Sequence, residues 1–284
     1  MGVNLEGRRL RRQFQREPVS GWSRIPDTQG IDHPLRIHTL GRFSIQVDGA
    51  ALAVGRQPAR QHRPLELLQV LIALGGRDVD IELLSHALWP DTDGDLARNT
   101  FEVTLHRLRR LLGIRELLQL SDRRLTLNSS LAWVDAWAFE RLANHAERLL
   151  PRSGDPVIQQ QLARVGERLL ALYQGNFLDR EASRAWSLTL RERLRSKLLR
   201  HITDTGSVWE RSGDWQRAIN YYRRGLEIDP LTESLYQRLM ICYRETGHLG
   251  DAMATFRRCE HVLESQFGIA PSAATLELQA SLRP

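Results

Sequence analysis

Three pairs of residues in the last third of the chain stand 34 positions apart: Gly213 with Gly247, Ala218 with Ala252, and Tyr222 with Phe256. A fixed period of this length marks a repeated two-helix unit that cannot bury its apolar face alone and must stack on neighbours. Gly-Asp-Trp-Gln-Arg-Ala opens one copy and Gly-His-Leu-Gly-Asp-Ala the next. The alanines let paired helices approach, the aromatic residues fill the groove between them, and Pro230 separates one helix from the next. Upstream, Phe139, Leu142 and Ala146, then Leu162, Val165, Leu169, Leu172 and Tyr173, then the segment from Trp186 to Trp209, keep helical spacing without that period. They read as diverged repeats or caps. Trp186, Trp209, Trp215, Tyr221 and Tyr222 are expected in the repeat core rather than on a base-stacking surface.

The first half of the chain has a different focus, DLARNTFEVTLHRLRRLLG from Asp95 to Gly113. Ala97, Phe101, Leu105, Leu108 and Leu112 form one apolar stripe at helical spacing. The opposite face, at about 100° per residue, carries Asn99, Thr100, Val103, His106, Arg107 and Arg110. Glu102 is the only acid between Leu96 and Leu112, against Arg98, Arg107, Arg109 and Arg110. Asp95 is expected to cap the helix and Gly113 to stop it. Amide, methyl and guanidinium groups are those that read adenine, thymine and guanine edges in a major groove. The stretch therefore reads as a recognition helix for double-stranded DNA; a basic solvated helix is the plainer alternative.

What surrounds it supports that reading. From Leu35 the pattern alternates with period two through Leu35, Ile37, Thr39, Phe43, Ile45 and Val47, with turn signals at Gly41 and Asp48-Gly49: an antiparallel meander. A helix opening at Arg63-Pro64 should bury Leu67, Leu68, Leu71, Ile72 and Leu74. A second, capped by Asp80, should bury Leu83, Leu84, Ala87 and Leu88 before Trp89-Pro90 closes it. After the recognition helix, Leu118 and Leu120 pair by alternation with Leu125 and Leu127 across a turn bearing Asp122, Arg123 and Arg124. A hairpin with arginines at its tip in that place is a wing.

Composition sets the outer limits. The chain has 284 residues, enough for two cores, with net charge +6 and a pI near 10.0. Lys197 is the only lysine, so 39 of the 40 basic residues are arginine, and their placement informs more than their number. No G-x-x-x-x-G-K-[ST] loop, G-x-S-x-G elbow or H-E-x-x-H pair occurs, and no His, Cys or carboxylate cluster has metal-ligand spacing. No enzymatic activity, cofactor or metal is expected. Cys242 and Cys259 read as buried thiols of a reducing compartment. His62, His86 and His201 read as surface or satisfied core groups. No apolar run suits a membrane span or a secretion signal, so the expectation is a cytoplasmic protein without membrane contact. Residues 1–33, with Arg8, Arg9, Arg11, Arg12, Arg16 and Arg24, read as a disordered basic leader.

The pieces LRIHTLGRFSIQVDG, LSHALWPD and ARNTFEVTLHRLRRLLG are similar, in this order, to those of bacterial SARP-type activators, and residues 35–128 resemble the OmpR-type winged helix. The 34-residue period with its glycines, alanines and aromatics is the tetratricopeptide signature. With WVDAWAFERL at 133–142, it makes residues 131–284 resemble the bacterial transcriptional activation domain (BTAD). LRERLRSKLLRHI is also similar to the C-terminal module of MalT-like regulators. The resemblance implies a mainly α fold: a leader to residue 33, a winged helix-turn-helix at 34–130 and an all-α domain at 131–284. It implies DNA-side roles for Asn99, Thr100, Val103, Thr104, His106, Arg107 and Arg110. Wheel position places Arg109 at the edge of that set, and Arg123 and Arg124 lie on the wing. The family's wing often reads Gly-Tyr-Arg-Leu where this chain has Asp122-Arg123-Arg124-Leu125, so the aromatic is missing.

The function expected is that of a sequence-specific transcriptional activator whose helical domain mediates homodimerisation or partner contact. Asp91 and Asp93, in the acidic loop before the recognition helix, are expected to face RNA polymerase, as the corresponding loop does in the family. Two other readings stay open: a tetratricopeptide adaptor that binds only protein, and a detached module of a larger ATP-dependent regulator. If about five of the six arginines Arg98, Arg107, Arg109, Arg110, Arg123 and Arg124 neutralise phosphates, log K against log salt should fall with a slope near −4.5.

Overall fold

The computed structural model describes residues 30–52, 62–92, 94–179 and 184–282. Most of the expected leader lies outside these residues. Its last part, 30–33, is an ordered turn in which the His33 amide donates to the Gly30 carbonyl at 3.1 Å. Gly30 has φ +60° and lies so close to Trp133 that a Cβ would stand 2.2 Å from the indole, so only glycine fits.

The expected meander forms as β1 (Leu35–His38), β2 (Ser44–Val47) and β3 (Ala50–Leu52), with Leu35, Ile37 and Ile45 turned into the core. A fourth strand, β7 (Ala132–Val134), runs parallel to β1 with Leu35 opposite Ala132, giving the order β3-β2-β1-β7. β7 lies past the expected boundary after residue 130, yet it completes the N-terminal sheet. Three helices follow the meander: α1 (His62–Ala73), α2 (Ile81–Leu88) and α3 (Gly94–Leu112). α1 is buried all round, because α2 and α3 pack on it from one side and α6 (Ala185–Arg211) from another. Two expected core residues lie outside: Leu74, past the end of α1, is 39% exposed, and Leu83 on α2 is 59% exposed. A second sheet, β4-β6-β5, joins β4 (Val79–Asp80) to the hairpin β5 (Leu118–Ser121) and β6 (Arg124–Leu127). Leu118 pairs with Leu127 and Leu120 with Leu125, in the hairpin that alternation predicts, although Leu120 is 42% exposed.

The helical part runs α4 (Asp135–Leu149), α5 (Pro156–Leu172), α6, α7 (Trp215–Ile228), α8 (Glu233–Glu245), α9 (Leu249–Phe267) and α10 (Ala273–Ser281). From α6 to α9 each helix packs on the next. Gly213 and Gly247 both take φ +76° between helices, and Ala218, Tyr222 and Ala252 are wholly buried. The fold is thus mainly α, with a small N-terminal sheet, as expected. His201 departs from expectation: it is buried in α6, its Nδ1 lies 3.3 Å from the Thr205 hydroxyl, and its Nε2 has no partner among the described residues. Burial pushes its pKa down to about 4, so the imidazole is neutral.

Asp135, first residue of α4, is 2% exposed and ties the two parts together. Its carboxyl accepts from the Thr39 amide and hydroxyl, the Leu40 amide and the Ala136 amide, at 2.6–2.9 Å. Burial pushes the carboxyl up, and the donors from Thr39 and Leu40 pull it back. Next to this clamp, Leu40 bridges to Phe177, the Leu178 amide donates to Thr39, and Gly41 donates to Asn176. Arg191 of α6 in turn donates to the Phe177 and Leu178 carbonyls. A further link is Glu66 of α1, 2% exposed, which pairs with Arg63 at 2.8 Å and with Arg184, just before α6, at 3.5 Å. The winged-helix part therefore rests on the helical part through satisfied polar groups as well as apolar packing.

Candidate nucleic-acid interface

α3 buries Ala97, Phe101, Thr104, Leu105, Leu108 and Leu112 against α1 and α2, a stripe set by their spacing. Its first residue is Gly94, so Asp95 lies inside the first turn and is not the cap; there it still favours the positive end of the helix dipole. Asp93 lies outside the described residues. Asp91 is exposed in the turn after Pro90.

The outward face is the one the wheel selects. Asn99, His106, Arg107 and Arg110 are exposed, Val103 is 50% exposed and Thr100 is half-buried. The Thr100 hydroxyl donates back to the Leu96 carbonyl at 2.7 Å, which leaves its methyl and oxygen lone pairs on the surface. Thr104 drops out of this set: it is 5% exposed, and its hydroxyl donates to the Thr100 carbonyl at 2.7 Å. The family pattern had supplied Thr104, whereas periodicity places it toward the core.

Leu96 was missed. It is 61% exposed and sits seven residues before Val103, two turns away on the same stripe. An apolar residue one position after the supposed cap looks like core, and only its exposure shows otherwise.

The six arginines divide. Arg109 donates from Nη2 to the Leu118 carbonyl at 2.8 Å, fixing α3 to the first wing strand. Arg98 lies on the other flank, 3.8 Å from Glu102. Arg123 pairs with Glu82 of α2, and its carbonyl accepts from the Ile81 amide at 3.0 Å, so the tip of the hairpin is fastened to the start of α2. Arg107, Arg110 and Arg124 have no ion-pair partner among the described residues. The tip is a two-residue turn in which Asp122 (φ 48°) and Arg123 (φ 62°) both take the left-handed conformation. That conformation matches the type I′ turn whose twist suits a tight hairpin. The missing family aromatic would fall in this turn.

Among the described residues, no group of three or more His, Cys, Asp or Glu could hold a metal ion, and no helix is long and apolar enough to cross a membrane.

Comparison with known proteins bears on the family and the fold. The bacterial transcriptional activator domain matches residues 134–283. Comparison with curated proteins gives no match. Among solved structures, the fold is similar to that of Mycobacterium tuberculosis EmbR in complex with a low-affinity phosphopeptide. The TM-score is 0.65 at 20% identity, over 88% of this chain and 65% of that one. This chain thus spans less than two thirds of the length of EmbR, and the likeness speaks for the fold. With over half its length matched and the helical stack in place, the chain belongs to the bacterial transcriptional activator domain family, that of the SARP-type activators.

Proposed function

We propose that this activator binds double-stranded DNA in a sequence-specific manner, with α3 in the major groove and Arg124 of the wing beside it. Residues 34–130, their sheet completed by β7, carry that contact, and the helical part from α4 onward serves homodimerisation or partner contact. The observation that carries the reading is the outward face of α3. Leu96, Asn99, Thr100, Val103, His106, Arg107 and Arg110 form one stripe, while the cations on its flanks are tied to Leu118 and Glu102. Arg107 suits a bidentate contact to guanine, and Leu96 or Val103 an apolar contact to a thymine methyl.

Because Arg98, Arg109 and Arg123 have partners within the protein, three of the six arginines, Arg107, Arg110 and Arg124, remain for phosphate or base contact. The salt slope should then be near −2.7 rather than −4.5. Selecting bound sequences from a random duplex pool, then titrating the selected site against salt, tests the reading. No enrichment from the pool, with the protein folded, would sink it.

Asp91 belongs to the same proposal. An exposed carboxylate close before α3 repels a phosphate backbone within a Debye length of about 8 Å, and suits a basic surface of RNA polymerase instead. Asp91→Ala together with Asp93→Ala should leave DNA affinity equal or slightly higher and lower transcription. Unchanged transcript at saturated promoter would move the activating contact to the helical part.

A further inference from the structure

The outer face of the N-terminal sheet bears a groove whose described lining shares no residue with α3 or the wing. Inward residues Leu35, Ile37 and Val134 are wholly buried, so Arg36, His38 and Trp133 alternate onto the other face, where Arg36 stands opposite Trp133 and His38 opposite Ser44. The end of α5 closes one side through Leu172 and Gln174, and Arg42 rises from the turn after β1. This open groove offers about 720 Å³, within the range of small-molecule sites.

Its chemistry is one-sided. Arg36 and Arg42 have no ion-pair partner among the described residues. The acid among the described lining residues, Asp135, is buried, accepts from Thr39, Leu40 and Ala136, and forms no ion pair with either arginine. Trp133 is 3% exposed, and its indole N–H is buried without an acceptor among the described residues. Beside it, with ring centroids 5.4 Å apart, His38 keeps a buried Nδ1 without a hydrogen-bond partner among the described residues. Buried polar atoms are nearly always satisfied, so two orphans in one wall are unusual. Ile31, 70% exposed, and the half-buried Leu172 add an apolar side.

We propose that this groove is a binding site for a small organic anion, an oxyanion head held by Arg36 and Arg42 with its apolar body on Ile31 and Leu172. Such a ligand would lie across β1, β7 and α5, beside the Asp135 clamp. The winged-helix part and the helical part meet there, and binding would tighten that junction. Phosphate monoesters and carboxylates share this chemistry, and two probes separate them: phenyl phosphate and benzoate, with phenol as the uncharged control.

Thermal unfolding of the full chain supplies the readout. At about ten times its Kd, the accepted anion should raise Tm by about 3 °C. The shift should persist in Arg107→Ala/Arg110→Ala, which removes cations of the α3 face, and should vanish in Arg36→Ala/Arg42→Ala and in Arg42→Glu. Arg42 is exposed, so the single reversal keeps the test valid if the double variant folds poorly. Whichever anion gives the shift identifies the head group. No shift with either anion, an equal shift with phenol, or a shift retained in Arg42→Glu would overturn the proposal. None of these outcomes bears on DNA binding, which the duplex titration measures separately.

Discussion

Asp135 shows how much one side chain can decide. It joins the end of β1 to the start of α4 across 96 positions and accepts from the Thr39 amide and hydroxyl and from the Leu40 amide. Asp135→Ala would strand the Thr39 and Leu40 amides in the core, and unsatisfied buried donors cost about 1–3 kcal/mol each. A loss on the order of 3 kcal/mol in urea unfolding is expected, with Asp135→Asn intermediate. His201 gives a prediction in pH. Its folded pKa lies near 4, below the unfolded value near 6.5, so its contribution is fully present above pH 6.5 and is lost as pH falls toward 4. The loss over that window is about 3 kcal/mol. Urea titrations at pH 7 and pH 4.5 should show it, and His201→Gln should flatten the difference. An equally steep fall in the variant would assign the acid sensitivity elsewhere.

At the scale of the element, α3 and the wing act as one unit because Arg109 donates to the Leu118 carbonyl. Arg109→Ala should weaken binding to all sequences and leave the salt slope unchanged, since no phosphate contact goes with it. Arg107→Ala should cost roughly 1–3 kcal/mol and relax preference at one base pair. If removing Arg109 instead lowered the slope by about one, that side chain would be on phosphate and the wing contact incidental. Arg123→Gly relieves a left-handed arginine and gives up only an exposed ion pair, worth about 0–1 kcal/mol. Stability equal to or above that of the parent is expected in thermal unfolding. A marked loss would show that the tie to Glu82 holds the wing.

Across the whole molecule, β7 is the consequential piece. A fragment ending at residue 130 lacks β7 and Asp135 and leaves the edge of β1 open. It should show weaker amide-exchange protection along β1 than a fragment ending at residue 150. Equal protection would make the helical part dispensable to the winged helix. Gly206 tests the stack, because a Cβ there would stand 2.4 Å from the buried Tyr222 ring. Gly206→Ala should cost about 1–3 kcal/mol through overpacking, read as a lower urea midpoint.

Local pattern alone determined much of this protein. The 34-residue period gave the helical stack, alternation gave the wing hairpin, and wheel position gave the outward face of α3, because each is a periodicity written in neighbouring residues. Tertiary structure decided the rest. Leu74, Leu83 and Leu96 carry the same side chain as core leucines, and only the packing around each one leaves it exposed. Thr104 was lost to the core, and Arg98, Arg109 and Arg123 were claimed by partners that charge counting cannot see. β7 and the Asp135 clamp depend on groups some 96 positions apart, and no local period records a contact made at that distance.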